Sequence, residues 1–498
     1  MSRYYVTTTI PYVNARPHLG HALEFVQADV LARHHRQRGD RVRFLTGTDD
    51  NSLKNVLAAR AEGLSTDELV DRNAAAFAGL REPLALSFTD FLRTSRDARH
   101  RAGVERLWRA CAHDLYRKHY EGLYCVGCEQ FYTPAELVGG KCPEHDVEPQ
   151  QVSEENWFFR LSRYTDRLRD LITDGTVRIE PAARRNEVLA FLAAGLRDFS
   201  ISRSRARAHG WGIPVPGDPD QVVYVWWDAL GNYITSLGYG ADGSNYRRWW
   251  VEGDRRVHVI GKGVVRFHAV YWLGMLLSAG EPLPTDILVH DYLTTDGRKI
   301  SKSTGDVVDP VALSDRYGAD AVRWWLLRDV PRVGDADFTE ARLVARANED
   351  LANGLGNLVN RVTVMVHRYR EGRPPVGAAP DPGAEPLARA CRNAPDLVHA
   401  AIADFDFRRA TAAVWRIVEE ANRYVERVRP WDLARAERGG EVTAGRRLDS
   451  AITALLTACR VLSTELTPFL PTLATRISEQ CVTLTGQLPQ PQPLFPRL

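Results

Sequence analysis

The sequence predicts an α/β fold that is interrupted by an insertion and followed by a bundle of α-helices. Strand-like segments alternate with helical patterns from the N-terminus to about residue 115, and again over residues 216–295. The stretch between them is rich in Gly, Cys and Tyr, and from about residue 345 the pattern is helical throughout. Alternation of strands and helices is typical of an α/β sheet with its helices packed on the faces. We therefore expect the two separated α/β segments to meet in space.

The first α/β unit carries a histidine motif at the start of its helix. Residues 4–10 are β-branched and aromatic, and residues 22–31 have a helical pattern, so this is the first half of a Rossmann-type nucleotide-binding unit. A helix N-terminus favours phosphate, and Gly20 lets the backbone approach a nucleotide closely. His18 and His21 can donate hydrogen bonds as charge builds at the α-phosphorus. Taken alone, the motif favours the simpler interpretation of two surface histidines at a helix start.

A second motif, Lys-Ile-Ser-Lys-Ser, begins at Lys299 in a predicted loop. Lys299 and Lys302 are flexible point charges, which suit a mobile arm that closes on a triphosphate. A solvated basic loop is the alternative for this motif alone. The two motifs together, in this order and about 280 residues apart, resemble the paired motifs of the class I aminoacyl-tRNA synthetases.

Composition sets the limits of the prediction. A chain of 498 residues predicts two to four domains, and 44% hydrophobic and 26% charged residues are ordinary for a globular protein. The net charge is +2, so any contact with RNA has to come from local patches. No apolar run reaches the roughly 18 residues that span a bilayer, and the chain starts with a strand instead of a secretory leader. We expect a cytoplasmic protein without membrane contact.

Three cysteines and a histidine have the spacing of zinc ligands. Soft thiolates in paired turns suit tetrahedral zinc, and four protein ligands leave no position open for a substrate, so the site is predicted to be structural. Glu144 is an alternative fourth ligand, and a disulfide is the alternative for the cysteines. The remaining cysteines are scattered, as expected in a reducing compartment. The predicted ligands are Cys125, Cys128, Cys142 and His145.

The C-terminal third predicts a helical bundle. Residues 346–369 form an amphipathic pattern with apolar side chains at helical spacing, and helical patterns return at 386–403, 406–428 and 446–467. The Pro-rich tail from residue 489 is predicted to be an extended strap or disordered. The chain ends without an obvious dimerising segment, so a monomer is expected.

From residue 4 to about residue 470, the chain resembles the methionyl-tRNA synthetase family. Besides the motifs above, the resemblance rests on Gly47–Asp49, Ile201–Arg203, Tyr224–Tyr233 and Phe267–Trp272. It implies ATP-dependent activation of L-methionine to methionyl-adenylate, with Mg²⁺ held mostly by the phosphates. It also implies transfer of the methionyl group to the 3′-terminal adenosine of tRNA(Met).

The resemblance further implies roles for individual residues. A thioether pocket built from aromatic rings is chemically reasonable, because ring faces and edges attract a polarisable sulfur, although core packing also explains its tryptophans. Asp49 is implied to accept from the substrate ammonium, and an unpaired anticodon base can stack on Trp431. The implied catalytic residues are His18, His21, Lys299 and Lys302. The implied ATP-binding residues are Gly20, His21, Gly261, Lys299 and Lys302. The implied amino-acid-binding residues are Ile10, Tyr12, Asp49, Trp226, Ala229, Leu230, Tyr233, His268 and Trp272. The implied anticodon-binding residues are Asn357, Arg361 and Trp431.

The expected domain boundaries combine the patterns with the resemblance. They are 1–115 for the first half of the Rossmann-type catalytic domain, 116–215 for the connective insertion with its zinc knuckle at about 122–148, 216–295 for the second catalytic half, 296–345 for the lysine-loop and stem-contact region, and 346–498 for the helical anticodon-binding domain with its tail.

Three positions depart from the family pattern near the expected site. Asn51 replaces a histidine, Gly263 replaces an aspartate, and Asp291 replaces a glycine. The lost acid at 263 would pair with Arg203, and Asp291 is a candidate to take over a pairing with Arg203 or Lys262. These changes leave open a paralogue that adenylates an amino acid for a non-tRNA acceptor in secondary metabolism. A non-catalytic tRNA-binding or regulatory protein is a third alternative.

Overall fold

The computed structural model describes residues 1–127, 130–143, 146–300, 308–482 and 486–498. The chain forms two compact units. The first contains Met1–Arg81 and Leu86–Asp291, and the second contains Glu82–Ala85 and the described residues from Tyr292 onward. Within the described ranges, none of the helices is both long enough and apolar enough to cross a membrane.

The first unit is built from short strands and helices that alternate along the chain. Its strands are β1 (Arg3–Thr8), β2 (Arg41–Thr48), β3 (Asp90–Arg93), β4 (Leu115–Cys125), β5 (Gln130–Tyr132), β6 (Gln150–Phe159), β7 (Arg178–Glu180), β8 (Phe199–Ser200), β9 (Ser202–Ser204), β10 (Pro214–Val215), β11 (Asp218–Val223), β12 (Arg255–Gly261) and β13 (Asp286–His290). Its helices are α1 (Leu19–Gln37), α2 (Leu53–Glu62), α3 (Thr66–Ala78), α4 (Ala98–Ala110), α5 (Thr165–Thr173), α6 (Ala182–Ala193), α7 (Val225–Thr235), α8 (Ser244–Tyr246) and α9 (Trp272–Ala279).

A six-stranded parallel sheet forms the centre of the first unit. Its order is β3-β2-β1-β12-β13-β7. β12 and β13 thus lie beside β1, although some 250 residues separate Tyr4 from its partner Arg255. β1 is buried from Tyr4 to Thr8, as expected for a strand that is covered on both faces. The predicted α/β class is confirmed, and the structure shows that the sheet is parallel.

Between β3 and β12 the chain forms two small antiparallel sheets, with the orders β5-β4-β6-β8 and β10-β11-β9. β7 returns from this region to the edge of the parallel sheet. Within the predicted α/β segment 216–295, the run of β-branched and aromatic residues at 222–226 predicts a strand, which is wrong in part: β11 ends at Val223 and α7 begins at Val225. The β-branched run favours a strand locally, whereas burial of nearly the whole of α7 stabilises a helix from Val225 onward.

The second unit is mainly helical. Its short strands β14 (Leu293–Thr295), β15 (Arg298–Lys299) and β16 (Ala336–Asp337) form one small sheet. Its helices are α10 (Pro310–Tyr317), α11 (Ala319–Arg328), α12 (Glu340–Arg346), α13 (Asn357–Arg370), α14 (Glu385–Ala403), α15 (Phe407–Val428), α16 (Pro430–Arg438), α17 (Val442–Glu465) and α18 (Pro471–Cys481). The predicted helical C-terminal region is confirmed, while α16 and α18 were not predicted.

Two features organise the helical region. A π-helical stretch, Ala347–Gly356, joins α12 to α13, so the long amphipathic pattern is one continuous helical run. The tail from residue 486 is the extended strap that was one of the two predicted alternatives: Leu488 and Leu494 are buried, and the Leu498 amide donates to Asn348 Oδ1 at 2.7 Å.

Candidate active site

The strand order of the parallel sheet reverses between β1 and β12. In open α/β sheets, ligands bind outside the carboxyl ends of the strands at such a point. β1 ends at Thr8 and leads through a loop into α1, while β12 ends at Gly261. Among the predicted site residues, Ile10 and Tyr12 follow the end of β1, Asp49 directly follows β2, and Gly261 ends β12.

His18 and His21 together cap the first turn of α1. His18 is the N-cap residue, and its Nδ1 accepts from Gly20 N at 3.1 Å. His21 Nδ1 accepts from His18 N, also at 3.1 Å, and the two rings stack with centroids 3.8 Å apart. The motif is therefore a reciprocal capping box in which imidazoles replace the usual hydroxyl and carboxylate.

The cap fixes the tautomer of both rings. Because each Nδ1 accepts a backbone hydrogen, the proton of the neutral ring is on Nε2. Two Nε2–H donors thus lie at the positive end of α1, where an anion is favoured. Gly20 is required by the same cap, since a Cβ at this position would lie 2.9 Å from His18 Cε1.

A polar network joins the ends of β1 and β13 to α1. Glu24 is buried, and its Oε1 accepts from Thr9 N at 2.7 Å and from Thr9 Oγ1 at 2.5 Å. Glu24 Oε2 lies 3.0 Å from His290 Nε2, and His290 Nδ1 donates to Asp291 O at 2.9 Å. The sequence prediction missed Glu24 and His290, although the place of His290 at a strand end was a usable signal.

Asp49 and Tyr12 lie together at the carboxyl end of β2. They form an isolated parallel bridge, and Asp49 N donates to Pro11 O at 2.9 Å. The Asp49 side chain is buried, and its Oδ1 accepts from Asn51 N at 3.2 Å. The Tyr12 ring lies in the loop before α1, with Lys54 Nζ 4.9 Å from its centroid.

The predicted aromatic pocket residues on α7 share one side of that helix. Trp226, Ala229, Leu230 and Tyr233 have the i, i+3, i+4, i+7 spacing of a single face, and the last three are buried. The Trp226 ring stacks on Phe267 at 3.6 Å and meets the Tyr12 ring edge-on at 6.2 Å. This face therefore adjoins the loop that leads into α1.

Tyr233 and His268 form a buried hydrogen-bonded pair. His268 Nδ1 donates to Val264 O at 2.9 Å, so Nε2 accepts from the Tyr233 hydroxyl at 2.7 Å. Burial lowers the pKa of His268 to about 4, and the ring is neutral at physiological pH. Trp272 packs at 5.9 Å from the Tyr233 ring. The pair is thus an uncharged polar element in an aromatic surrounding.

A further histidine, His258, packs beside this pair. The sequence prediction missed it. His258 Nε2 accepts from Trp272 Nε1 at 3.2 Å, and His258 Nδ1 donates to Thr7 Oγ1 at 2.7 Å. Burial holds the pKa of His258 well below its ordinary value. The chain therefore keeps two neutral histidines beneath the aromatic pocket. A histidine inside the apolar strand pattern of β12 was the available signal.

Asn51, which departs from the family pattern, and its neighbour Ser52 both have clear structural partners. Asn51 Nδ2 donates to Asp228 Oδ2 at 2.6 Å, and the other oxygen of Asp228 contacts His100 Nε2. Ser52 is the N-cap of α2, with its Oγ accepting from Lys54 N at 3.1 Å. Both side chains stabilise the turn that holds Asp49.

Asp291 pairs with Arg184, a partner that the sequence did not predict. Asp291 is buried, and Arg184 comes from α6 in the insertion. Arg203 is also buried: its Nη1 donates to Ser200 Oγ at 2.9 Å and to Ser202 O at 2.7 Å, and its guanidinium lies 4.1 Å from the Tyr224 ring centroid. Asp291 thus contacts Arg184 from the insertion, and its pairing with Arg203 or Lys262 stays a prediction.

The lysine motif begins in the second unit. The backbone of Lys299 pairs with Thr294 in the β14–β15 hairpin, and Ile300 is buried. Lys302 lies outside the described residues.

Two of the predicted zinc ligands lie in one small cluster. Cys125 and Cys142 are both buried and pack with Tyr132 and Leu137. The Cys142 thiol donates to Tyr132 Oη at 3.5 Å. Cys128, Glu144 and His145 lie outside the described residues, and among those described no group of three or more potential metal ligands is found.

The three predicted anticodon-binding residues are exposed in the second unit. Asn357 and Arg361 lie one turn apart on α13. Trp431 in the first turn of α16 is 41% exposed, with the Arg429 guanidinium 6.0 Å from its ring. Trp431 is therefore a surface residue, and the alternative of a core role does not apply.

Comparison with known proteins identifies the family. The family model described as tRNA synthetases class I (M) matches residues 4–154 and 145–363. The methionine–tRNA ligase of Caldanaerobacter subterraneus subsp. tengcongensis is 39% identical over 480 residues, which cover 96% of this chain and 73% of that protein. The methionine–tRNA ligase of Brucella suis biovar 1 is 38% identical over 517 residues, with 99% and 98% coverage.

Solved structures give the same result. The fold matches Mycobacterium tuberculosis methionyl-tRNA synthetase in complex with methionyl-adenylate with a TM-score of 0.93 and 38% identity, covering 100% of both chains. The match to the apo form of that enzyme has a TM-score of 0.86, 36% identity and coverage of 100% and 98%. The chain belongs to the methionine–tRNA ligases, the methionine branch of the class I tRNA synthetases.

Proposed function

We propose that this chain activates L-methionine with ATP and transfers the methionyl group to the 3′-terminal adenosine of tRNA(Met). The observation that carries the proposal is the contact between Tyr12 and Trp226. It joins the loop that leads into the histidine cap to the aromatic face of α7. A triphosphate at the cap and a thioether at α7 are then adjacent, as the joining of the two substrates requires.

The first step is an in-line attack of the methionine carboxylate on the α-phosphorus of ATP. The carboxylate is already ionised, so the chain supplies position and charge stabilisation instead of a general base. His18 and His21 donate from Nε2 to the α-phosphate oxygens, while Gly20 and Gly261 let the backbone approach the nucleotide. Lys299 and Lys302 neutralise the departing pyrophosphate. Mg²⁺ bound to ATP would offset part of the triphosphate charge.

The amino-acid pocket selects for an uncharged, polarisable side chain. Ile10, Trp226, Ala229, Leu230 and Trp272 surround the thioether, in a surrounding that favours sulfur–aromatic contacts. The Tyr233–His268 pair stays neutral because burial lowers the pKa of His268 to about 4. A cationic or anionic side chain therefore gains no counter-charge from this pair. Asp49 and Tyr12 bind the ammonium end.

We also propose a structural zinc in the insertion, held by Cys125, Cys128, Cys142 and His145. Its support is the buried pair of thiols, Cys125 and Cys142, in a cluster too small to form a hydrophobic core of its own. When bound, zinc would cross-link the knuckle and stabilise its fold. It would take no part in the reaction.

In the helical region, Asn357, Arg361 and Trp431 are proposed to read the anticodon. The exposed indole of Trp431 is a stacking surface for an unpaired base, and the amide and guanidinium on α13 can hydrogen-bond base edges.

We also propose the domain boundaries given from the sequence, which are 1–115, 116–215, 216–295, 296–345 and 346–498. We propose a monomeric state, which sedimentation would test.

The decisive experiment is ATP–pyrophosphate exchange with each common amino acid, followed by charging of a tRNA with a CAU anticodon. We expect exchange with methionine alone and charging of that tRNA. Exchange with another amino acid, or methionine exchange without charging, would contradict the proposal and favour an adenylating paralogue.

A further inference from the structure

The turn after β2 is tied to α7 by a chain of buried polar contacts. Asn51 Nδ2 donates to Asp228 Oδ2 at 2.6 Å across 177 residues of sequence. The second oxygen of Asp228 contacts His100 Nε2, and His100 Nδ1 lies 2.7 Å from Thr235 Oγ1. Asp228, His100 and Thr235 are fully buried. Asp228 therefore depends on two donors, one from α4 and one from the turn.

Asn51 also contacts Asp49, the carboxylate that is proposed to bind the substrate ammonium. The Asn51 backbone N–H donates to Asp49 Oδ1 at 3.2 Å. Asn51 thus connects Asp49, at the ammonium end of the site, with the helix that carries Trp226 and Tyr233 at the thioether end. The distance between these two ends has to match the length of the bound amino acid.

We propose that Asn51 is a positioning residue for methionine: its side chain holds α7 in register with Asp49. This inference rests on the proposed function. It explains how an asparagine serves at this position, because a carboxamide is a neutral donor to the buried carboxylate of Asp228. The Asn51 side chain acts through Asp228 and α7, so its removal is expected to weaken methionine binding and to leave ATP binding unchanged.

The substitution Asn51→Asp is the sharpest perturbation. It places a second carboxylate against Asp228, and like charges at this distance disfavour ionisation of one of them. At low pH the new carboxyl is protonated and again donates to Asp228. The charged groups around it are Asp49 and Asp228, His100 behind Asp228, Lys54 on α2, and Arg203 and Arg207, which line the same small cavity as Asn51.

The test measures KM for methionine and for ATP in pyrophosphate exchange, and the Kd of methionine by calorimetry. Loss of one hydrogen bond to a charged group is expected to raise the methionine KM and Kd of Asn51→Asp and Asn51→Leu about tenfold, while the KM for ATP stays within about twofold. Lowering the pH from about 7.5 to 6 should reduce the difference in methionine Kd between Asn51→Asp and the wild type. The difference in methionine Kd between Asn51→Leu and the wild type should not change. The control Asn245→Asp makes the same charge change on the surface of the first unit and should behave as wild type.

A reciprocal variant separates positioning from a general loss of structure. In the double variant Asn51→Asp/Asp228→Asn, the amide at 228 can accept from His100 and donate to residue 51, so the contact is restored with its polarity reversed. We expect the methionine Kd to return to within about threefold of wild type. An unchanged methionine Kd in Asn51→Leu, or equal losses for methionine and ATP, would overturn the inference while methionine exchange by the wild type upholds the function. A wild type that does not exchange methionine would overturn both.

Discussion

Acid is expected to destabilise the first unit through His268. In the unfolded chain this imidazole has its ordinary pKa of about 6.5, whereas burial lowers the pKa to about 4 in the folded protein. Between these two values the unfolded chain binds a proton that the folded chain excludes. The free energy of unfolding therefore falls as the pH falls from about 6.5 towards 4, and the contribution is fully present only above pH 6.5.

The magnitude follows from the same two values. Each pH unit in this window changes the free energy of unfolding by about 1.4 kcal/mol. From about pH 6.5 to about pH 5 the loss is about 2 kcal/mol, a large share of typical protein stability. His258 also contributes to the loss of stability in acid, because burial lowers its pKa as well. The two histidines together make the aromatic cluster acid-sensitive.

The variant His268→Gln isolates the contribution of one ring. The glutamine amide can accept from Tyr233 and donate to a carbonyl, but it does not titrate. Urea unfolding followed by tryptophan fluorescence at about pH 7 and about pH 5 gives the two free energies for each protein. We expect the free energy of unfolding of the wild type to fall by about 2 kcal/mol more than that of the variant when the pH is lowered from about 7 to about 5. An equal loss in both proteins would refute the buried neutral imidazole at position 268.

The remaining predictions concern the cap, the helical region and the knuckle. His18→Asn keeps a cap acceptor but lacks the Nε2 donor, so exchange should fall about 100-fold with an unchanged unfolding midpoint, while His18→Ala should also lose about 1 kcal/mol of stability. Full exchange activity in His18→Asn would exclude the donor role. Trp431→Ala should weaken tRNA charging and leave exchange untouched, and equal loss of both would contradict the assignment of α16 to the anticodon. Elemental analysis is expected to find zinc in the wild type and none in Cys142→Ala. A wild type without zinc would refute the proposed zinc site.

The sequence was sufficient to place a pair of histidines where β1 leads into α1. A β-branched run followed by a helical pattern is a local signal, and the position of His18 and His21 at the junction followed from it. The order and separation of the two motifs indicated the synthetase class through their resemblance to that family, and their residue types at helix and loop ends are compatible with binding a triphosphate. The helices α13, α14, α15 and α17 were also predicted from their periodicity alone.

The polar contacts between distant residues became known from the folded structure and not from the sequence. The contact of Asn51 with Asp228, that of Asp291 with Arg184 and that of His290 with Glu24 each join residues more than 100 positions apart. Sequence patterns report burial and local conformation, but such pairings depend on how the strands are ordered in the sheet and on how the insertion returns to its edge. The start of α7 at Val225 has the same cause: β-branched residues favour a strand, and burial against the core outweighs that local preference.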